Sequence, residues 1–148
     1  MNLIIEKISE KHLPMVDAFS CVDSKDSLSC YNSKERRRII KHSKEMDDFL
    51  KNESLSDQEK GLSTTHLFID DEEKKIIGYV SLCNDSIRLE FEERDQLNFT
   101  YTTVPAIKIA RLAVSNMHQK MGIGTHIIMF QHIWEKNQID KWSNIFNT

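Results

Sequence analysis

No apolar run in the chain approaches the ~20 residues that a membrane-spanning helix needs, so no membrane partner is expected. A secretion signal is missing as well. Glu6, Lys7 and Glu10 stand where such a signal would carry its apolar stretch, which predicts a cytoplasmic protein. Cysteine is sparse: Cys21, Cys30 and Cys83 are far apart, odd in number, and form no Cys-x-x-Cys pair. They read as reduced thiols rather than a disulfide or zinc framework. The histidines are scattered, and His126 and His132, six apart on one expected helix, do not share a face; no metal is expected. The formal net charge of −3 lacks the basic excess of a wholesale nucleic-acid or anionic-membrane binder, while leaving room for a local basic patch.

What is present is enough chain, 148 residues, for one domain with a buried core. Leu3-Ile4-Ile5 with Ile8 reads as a first strand, and Ser9 then starts a short helix through Val16 and Phe19. Cys21 to Ser33 is polar and turn-rich, a loop. Ile39, Ile40, Met46, Phe49 and Leu50 recur at helical spacing and predict a helix from about Lys34 to Asn52. Ser54 to Gly61 is polar and reads as a connector. Thr65 to Ile69 reads as a strand, Asp70 to Lys75 as a charged hairpin turn, and Ile76 to Cys83 as an apolar central partner strand. Ile87, Leu89 and Phe91 alternate with charges as an edge extension or extended loop, and Glu90 to Gln96 reads as a solvated charge run.

The strand from Ala106 to Val114 carries an internal clue. Ile107 and Ile109 share one parity, Leu112 and Val114 the other. Side chains alternate faces along a strand, so burying one face requires an inserted residue, a β-bulge near Ala110-Arg111. A central strand buried on both faces is the alternative. Beyond the strand and a short polar turn, Ile123, Ile127, Phe130 and Trp134 fall on one face of a helix that ends near Lys136-Asn137. Gly122 and Gly124 bracket Ile123 at that helix's start. The arrangement points a helix N-terminus and free backbone N–H groups at one spot, which suits a phosphate. The third glycine of a dinucleotide-binding loop is missing, and Gly124 is followed by Thr125-His126 rather than the Lys-Ser/Thr of a P-loop.

The core of this run, Gln119-x-x-Gly122-x-Gly124, closely resembles the acyl-CoA-binding signature of the GNAT superfamily of N-acetyltransferases: Gln or Arg, two residues, Gly, one residue, then Gly or Ala. Val104 to Val114 also looks like the branch of that superfamily holding the toxins of toxin–antitoxin pairs, which acetylate aminoacyl-tRNA. Phe49-Leu50 and Gly78 to Leu82 fit the branch loosely. The resemblance covers Leu3 to about Lys136. It implies an α/β (α+β) fold with a mixed, mainly antiparallel sheet flanked by helices and a bulged signature strand. It implies acetyl-CoA as cosubstrate, held by Leu112, Ala113 and Val114 and by Gln119, Lys120, Met121, Gly122, Ile123, Gly124 and Thr125. It implies an amine-bearing substrate and no metal.

The resemblance also exposes a departure. Members continue past this helix with a strand, a second helix that often carries a thiolate-protonating tyrosine, and a final hairpin. Here only Gln138 to Thr148 follow, and the tyrosines, Tyr31, Tyr79 and Tyr101, all lie upstream of the signature. The expectation is therefore a C-terminally shortened fold whose exposed strand edge favours a homodimer and whose turnover is slow. Water-relayed glutamate is common as the base in the family, which marks Glu90, Glu92 and Glu93, although solvated surface is the commoner fate of such residues. Arg111 either orients substrate or caps the bulge. Three readings stay open: an N-acetyltransferase of small molecules or peptides, a toxin acetylating aminoacyl-tRNA, and a non-catalytic acyl-CoA-binding module. For the second, Lys34, Arg36, Arg37, Arg38, Lys41 and Lys44 form a basic stretch able to meet tRNA phosphates.

Overall fold

The computed structural model of the chain describes residues 1–23 and 27–132. Strand β1 (Leu3–Lys7) leads to Ser9, a 3-10 turn (Glu10–His12) and helix α1 (Leu13–Ala18). Buried His12 pins this turn: its Nδ1 accepts from the Ser9 N–H at 3.0 Å, and its Nε2 lies 2.6 Å from Glu6 Oε2. Helix α2 (Ser33–Asp48) opens on a reciprocal cap. Asn32 Oδ1 accepts from the Glu35 N–H at 2.9 Å, and Glu35 Oε2 accepts from the Asn32 N–H at 3.0 Å.

The connector expected from Ser54 to Gly61 is instead helical. A π-turn (Phe49–Glu53) carries α2 straight into α3 (Ser54–Glu59). Side-chain bonds, one local and two to the neighbouring strands, override the polar composition here. Ser54 Oγ donates to the Leu50 carbonyl at 2.6 Å, and the Gln58 side chain donates to the Ile8 carbonyl at 2.8 Å while accepting from the Thr65 N–H at 3.2 Å.

Strands β2 (Thr64–Asp70), β3 (Lys75–Arg88) and β4 (Thr103–Val114) complete a sheet of order β1-β2-β3-β4. All its pairings are antiparallel, so the mainly antiparallel sheet is as expected, and no parallel pairing falls among the described residues. β3 runs past the expected Cys83, to Arg88. β2 pairs with it only as far as Leu82, so the outer half of the β3–β4 hairpin projects as a two-stranded arm. Helix α4 (Phe91–Leu97) sits at the tip, where a solvated charge run was expected. Helix α5 spans residues 123–132 of the described chain; Trp134, the expected end near Lys136-Asn137 and Gln138 to Thr148 lie outside it.

The bulge falls where parity demanded it. Ser81 pairs with Arg111 and Leu82 with Ile109, leaving Ala110 unopposed. Ile107, Ile109, Leu112 and Val114 therefore share a face, while Arg111 and Ala113 point to the other. On the α1/α2 side, Phe19, Phe49, Leu50, Leu67, Tyr79 and Ala113 form the larger core. On the opposite side, Phe68, Val80, Leu82 and Ile127 form a second core backed by Leu112, Val114 and Ile123. Helices thus cover both faces. No helix among the described residues is long and apolar enough to cross a membrane.

Candidate active site

The glycine loop begins where β4 ends. The Ser115 N–H donates to the Ile77 carbonyl at 2.7 Å and the Asn116 N–H to the Ser20 carbonyl at 2.8 Å. The chain then reverses through two left-handed residues, Lys120 (φ 64°) and Gly122 (φ 76°). A Cβ on Gly122 would meet nothing within 4 Å, so backbone conformation rather than space calls for glycine there. Gly124 is different. A Cβ there would sit 3.8 Å from Leu112 Cδ2 and 3.8 Å from Val114 Cγ2, an ordinary contact, so neither the fold nor its dihedrals require glycine.

Helix α5 makes its first internal bond from the His126 N–H to the Gly122 carbonyl, at 3.2 Å. The N–H groups of Ile123, Gly124 and Thr125 consequently have no acceptor within the helix. They open beside Leu112 and Val114, with the Lys120 side chain exposed nearby in the loop. Three N–H groups left open at a helix start are a geometry that suits an anion. Gln119 and Gly124 of the loop lie against Leu112 and Val114 at the strand end. The Gln119 side chain, however, is spent on protein: its Nε2 donates to the Cys21 carbonyl at 2.8 Å and the Val114 carbonyl at 3.0 Å. It shapes the loop.

On the other face of β4 lies a cleft of about 670 Å³ between the end of α2, the π-turn and the strand. Glu45, Asp48 and Glu53 line its helical wall; Lys108, Ala110 and Arg111 line its strand wall. The Arg111 guanidinium carbon stacks 3.9 Å from the centroid of the Phe49 ring, which holds the cation on the cleft wall. The glycine loop thus lies against one face of β4 at Leu112 and Val114, and the cleft opens on the other beside Ala110 and Arg111. The sequence reading missed the cleft's acids because it counted only the apolar positions of α2.

The glutamates singled out from the sequence do not belong here. Glu90 is the exposed cap of α4, its N–H bonded to Glu93 Oε2 at 2.8 Å, and Glu92 is exposed beside it. All three follow Arg88, which pairs with Thr103, seven residues from the bulge, or roughly 23 Å of strand. The tyrosines are also placed. The Tyr79 hydroxyl, pushed up in pKa chiefly by burial, donates to the Met46 carbonyl at 2.8 Å. Tyr101 lies exposed on the arm and Tyr31 exposed before α2. None of them faces the bulge as a proton donor.

All three cysteines are free thiols. Burial, and next the hydrogen bond with Asp47, pushes the Cys21 thiol up to about 12. Alkylation at pH 8 is therefore expected to label exposed Cys30 first and to reach Cys21 only on unfolding, which peptide mass spectrometry resolves. The sign of the accompanying stability effect follows. The unfolded thiol ionises near 9 and the folded one near 12, so the native state loses stability as pH rises between those values.

A bulged last strand that feeds a glycine-relieved helix start, with helices on both sides of an antiparallel sheet, is the fold of the GNAT acetyltransferases. No family model matches the chain, and no curated protein matches it. Solved structures do. AtaT complexed with acetyl-methionyl-tRNAfMet superposes with a TM-score of 0.64 at 15% identity, over 93% of this chain and 72% of that one. A tyrosine-to-phenylalanine mutant of KacT gives 0.63 at 16% identity, over 93% and 72%. AtaTR bound with AcCoA gives 0.57 at 16% identity, over 93% and 69%. At such identities the likeness is one of fold.

Proposed function

We propose that this chain is an acetyl-CoA-dependent N-acetyltransferase. The observation that carries the reading is an open helix start set against one face of β4 at Leu112 and Val114, with an acid-lined cleft on the other face beside Ala110 and Arg111. The free N–H groups of Ile123 to Thr125, aided by the helix dipole, suit the diphosphate of CoA. Leu112, Ala113 and Val114 carry main-chain groups on the last strand of the described sheet, where alternate N–H and C=O groups point away from β3 and suit an amide-rich arm. Bound acetyl-CoA supplies a thioester whose carbonyl carbon takes the amine as its sulfur leaves.

The chain's own residues do the rest. An acceptor arrives as an ammonium ion and must lose a proton before it can attack. The carboxylates of Glu45, Asp48 and Glu53 attract the cation into the cleft and are the acids placed to take that proton, directly or through water. A main-chain N–H next to the bulge is placed to polarise the carbonyl oxygen. Calorimetric titration of acetyl-CoA and thiol release with primary amines test the proposal. Binding with saturable release supports it. Binding without release for any amine points to the acyl-CoA-binding module, and absence of binding overturns both.

The aminoacyl-tRNA reading has one further support. Lys34, Arg36, Arg37 and Arg38 crowd the first turns of α2, where the helix dipole disfavours cations. Charge arranged against stability points to a role outside the helix. The neighbour AtaT was solved with acetyl-methionyl-tRNAfMet. If tRNA lies along this helix, its affinity falls steeply with salt, and alanine at Arg37 and Arg38 flattens the salt slope by about two.

A further inference from the structure

Asp47 is a buried carboxylate on the last turn of α2, only 7% exposed, next to two residues of the acceptor cleft but not itself in it. Its Oδ1 accepts from the Cys21 N–H at 2.8 Å and its Oδ2 from the Ser20 hydroxyl at 2.8 Å. Ser20 Oγ in turn accepts from the Val22 N–H at 3.2 Å. The same three residues face the glycine loop with their carbonyls. Ser20 takes the Asn116 N–H at 2.8 Å, Val22 the Asn116 side-chain amide at 3.2 Å, and Cys21 the Gln119 side-chain amide at 2.8 Å. Segment Ser20 to Val22 is thus a strut. Its N–H and hydroxyl side is gripped by one carboxylate of α2, and its carbonyl side grips the two loop residues that precede the open helix start.

We infer that Asp47 is a positioning residue that sets the acyl-CoA loop through the strut Ser20–Val22. Helix α2 carries the acceptor cleft, so the same bond fixes donor loop and acceptor wall in one frame. A charged acceptor oxygen holds two donors at once more strongly than a neutral one. Without it, the Cys21 N–H is left buried without its partner and the strut loosens, releasing Asn116 and Gln119. The role as a positioning residue for catalysis rests on the acetyltransferase reading; the mechanical link to the loop does not.

Two readouts keep these apart. In Asp47→Ala, amide exchange followed by NMR is expected to speed up at Cys21 and Asn116 by more than tenfold, with β2 and β3 core amides unchanged. The dissociation constant for acetyl-CoA is expected to rise five- to twentyfold, with kcat for a saturating amine falling less than kcat/KM for acetyl-CoA. Asp47→Asn, which keeps one acceptor oxygen, should restore most of both. If Asp47→Ala does not fold, Ser20→Ala, which removes only the bridging hydroxyl, carries the same measurements with smaller shifts. Unchanged exchange at Asn116 in a folded variant overturns the inference. Faster exchange in a protein whose wild type does not bind acetyl-CoA keeps the strut and overturns the proposed function instead.

Discussion

Replacing Gly124 with valine is expected to cut acetyl-CoA affinity at least about a hundredfold while leaving the melting temperature close to that of the wild type. The two halves of this expectation have separate causes. The backbone at Gly124 is not left-handed, and its ideal Cβ makes only 3.8 Å contacts with Leu112 and Val114. A Cβ therefore fits the fold, and valine is no worse than glycine in a helix. The branched methyls stand over the first turn of α5, beside the open N–H groups of Ile123 to Thr125. They hold an anion away from those donors. Losing two charge-assisted bonds at roughly 1.5 kcal/mol each amounts to about two powers of ten. Gly124→Ala is the control, since the signature accepts alanine there and a single methyl adds helix propensity. It should bind acetyl-CoA and melt slightly higher. Equal affinity for the valine variant and the wild type, measured by calorimetry, would place the diphosphate elsewhere.

The bulge was legible because strand periodicity is strict: Ile109 and Leu112 could share a face only if Ala110 were inserted between them. The helix start at Gly122 was legible because a left-handed backbone leaves few residue choices. Other features were set by long-range contacts that composition does not encode. Ser54 to Glu59 looked like a linker, and its helix is fixed by what Gln58 reaches on β1 and β2. Glu90, Glu92 and Glu93 precede the signature strand in sequence, but the length of the β3–β4 arm carries them to its far end. The acids that do line the cleft beside the bulge come from the end of α2 and the π-turn, where only the apolar positions carried a sequence signal. Asp47 had a fainter signal. It stands four residues from Ser43, seven from Ile40 and three from Leu50, on the inward side of α2, where a carboxylate needs a structural partner.

Gly78→Val should behave in the opposite way to Gly124→Val, losing stability and binding together. Gly78 pairs with Val114, the last residue of β4. A Cβ on it would lie 2.8 Å from the Ala113 carbonyl oxygen and 2.9 Å from Ile127 Cδ1. The isoleucine tip can rotate, at some cost, because Ile127 is only 1% exposed and anchors α5 in the second core. The Ala113 oxygen belongs to the backbone and cannot move without shifting the strand. Overpacking of this kind costs about 1–3 kcal/mol for small insertions. For a chain of this size, that corresponds to a fall of roughly 3–10 °C in melting temperature, with valine at the upper end. The strain falls on the segment from Ala113 to Ile127, between the strand that would hold the pantetheine arm and the helix that would hold the diphosphate, so acetyl-CoA affinity should drop in the same variant. Thermal melting by circular dichroism with calorimetric titration reads both. A Gly78→Val protein that melts like the wild type would show that β4 and α5 do not close on β3 as tightly as described. One that melts lower yet binds normally would separate the seating of α5 from the open N–H groups at its start.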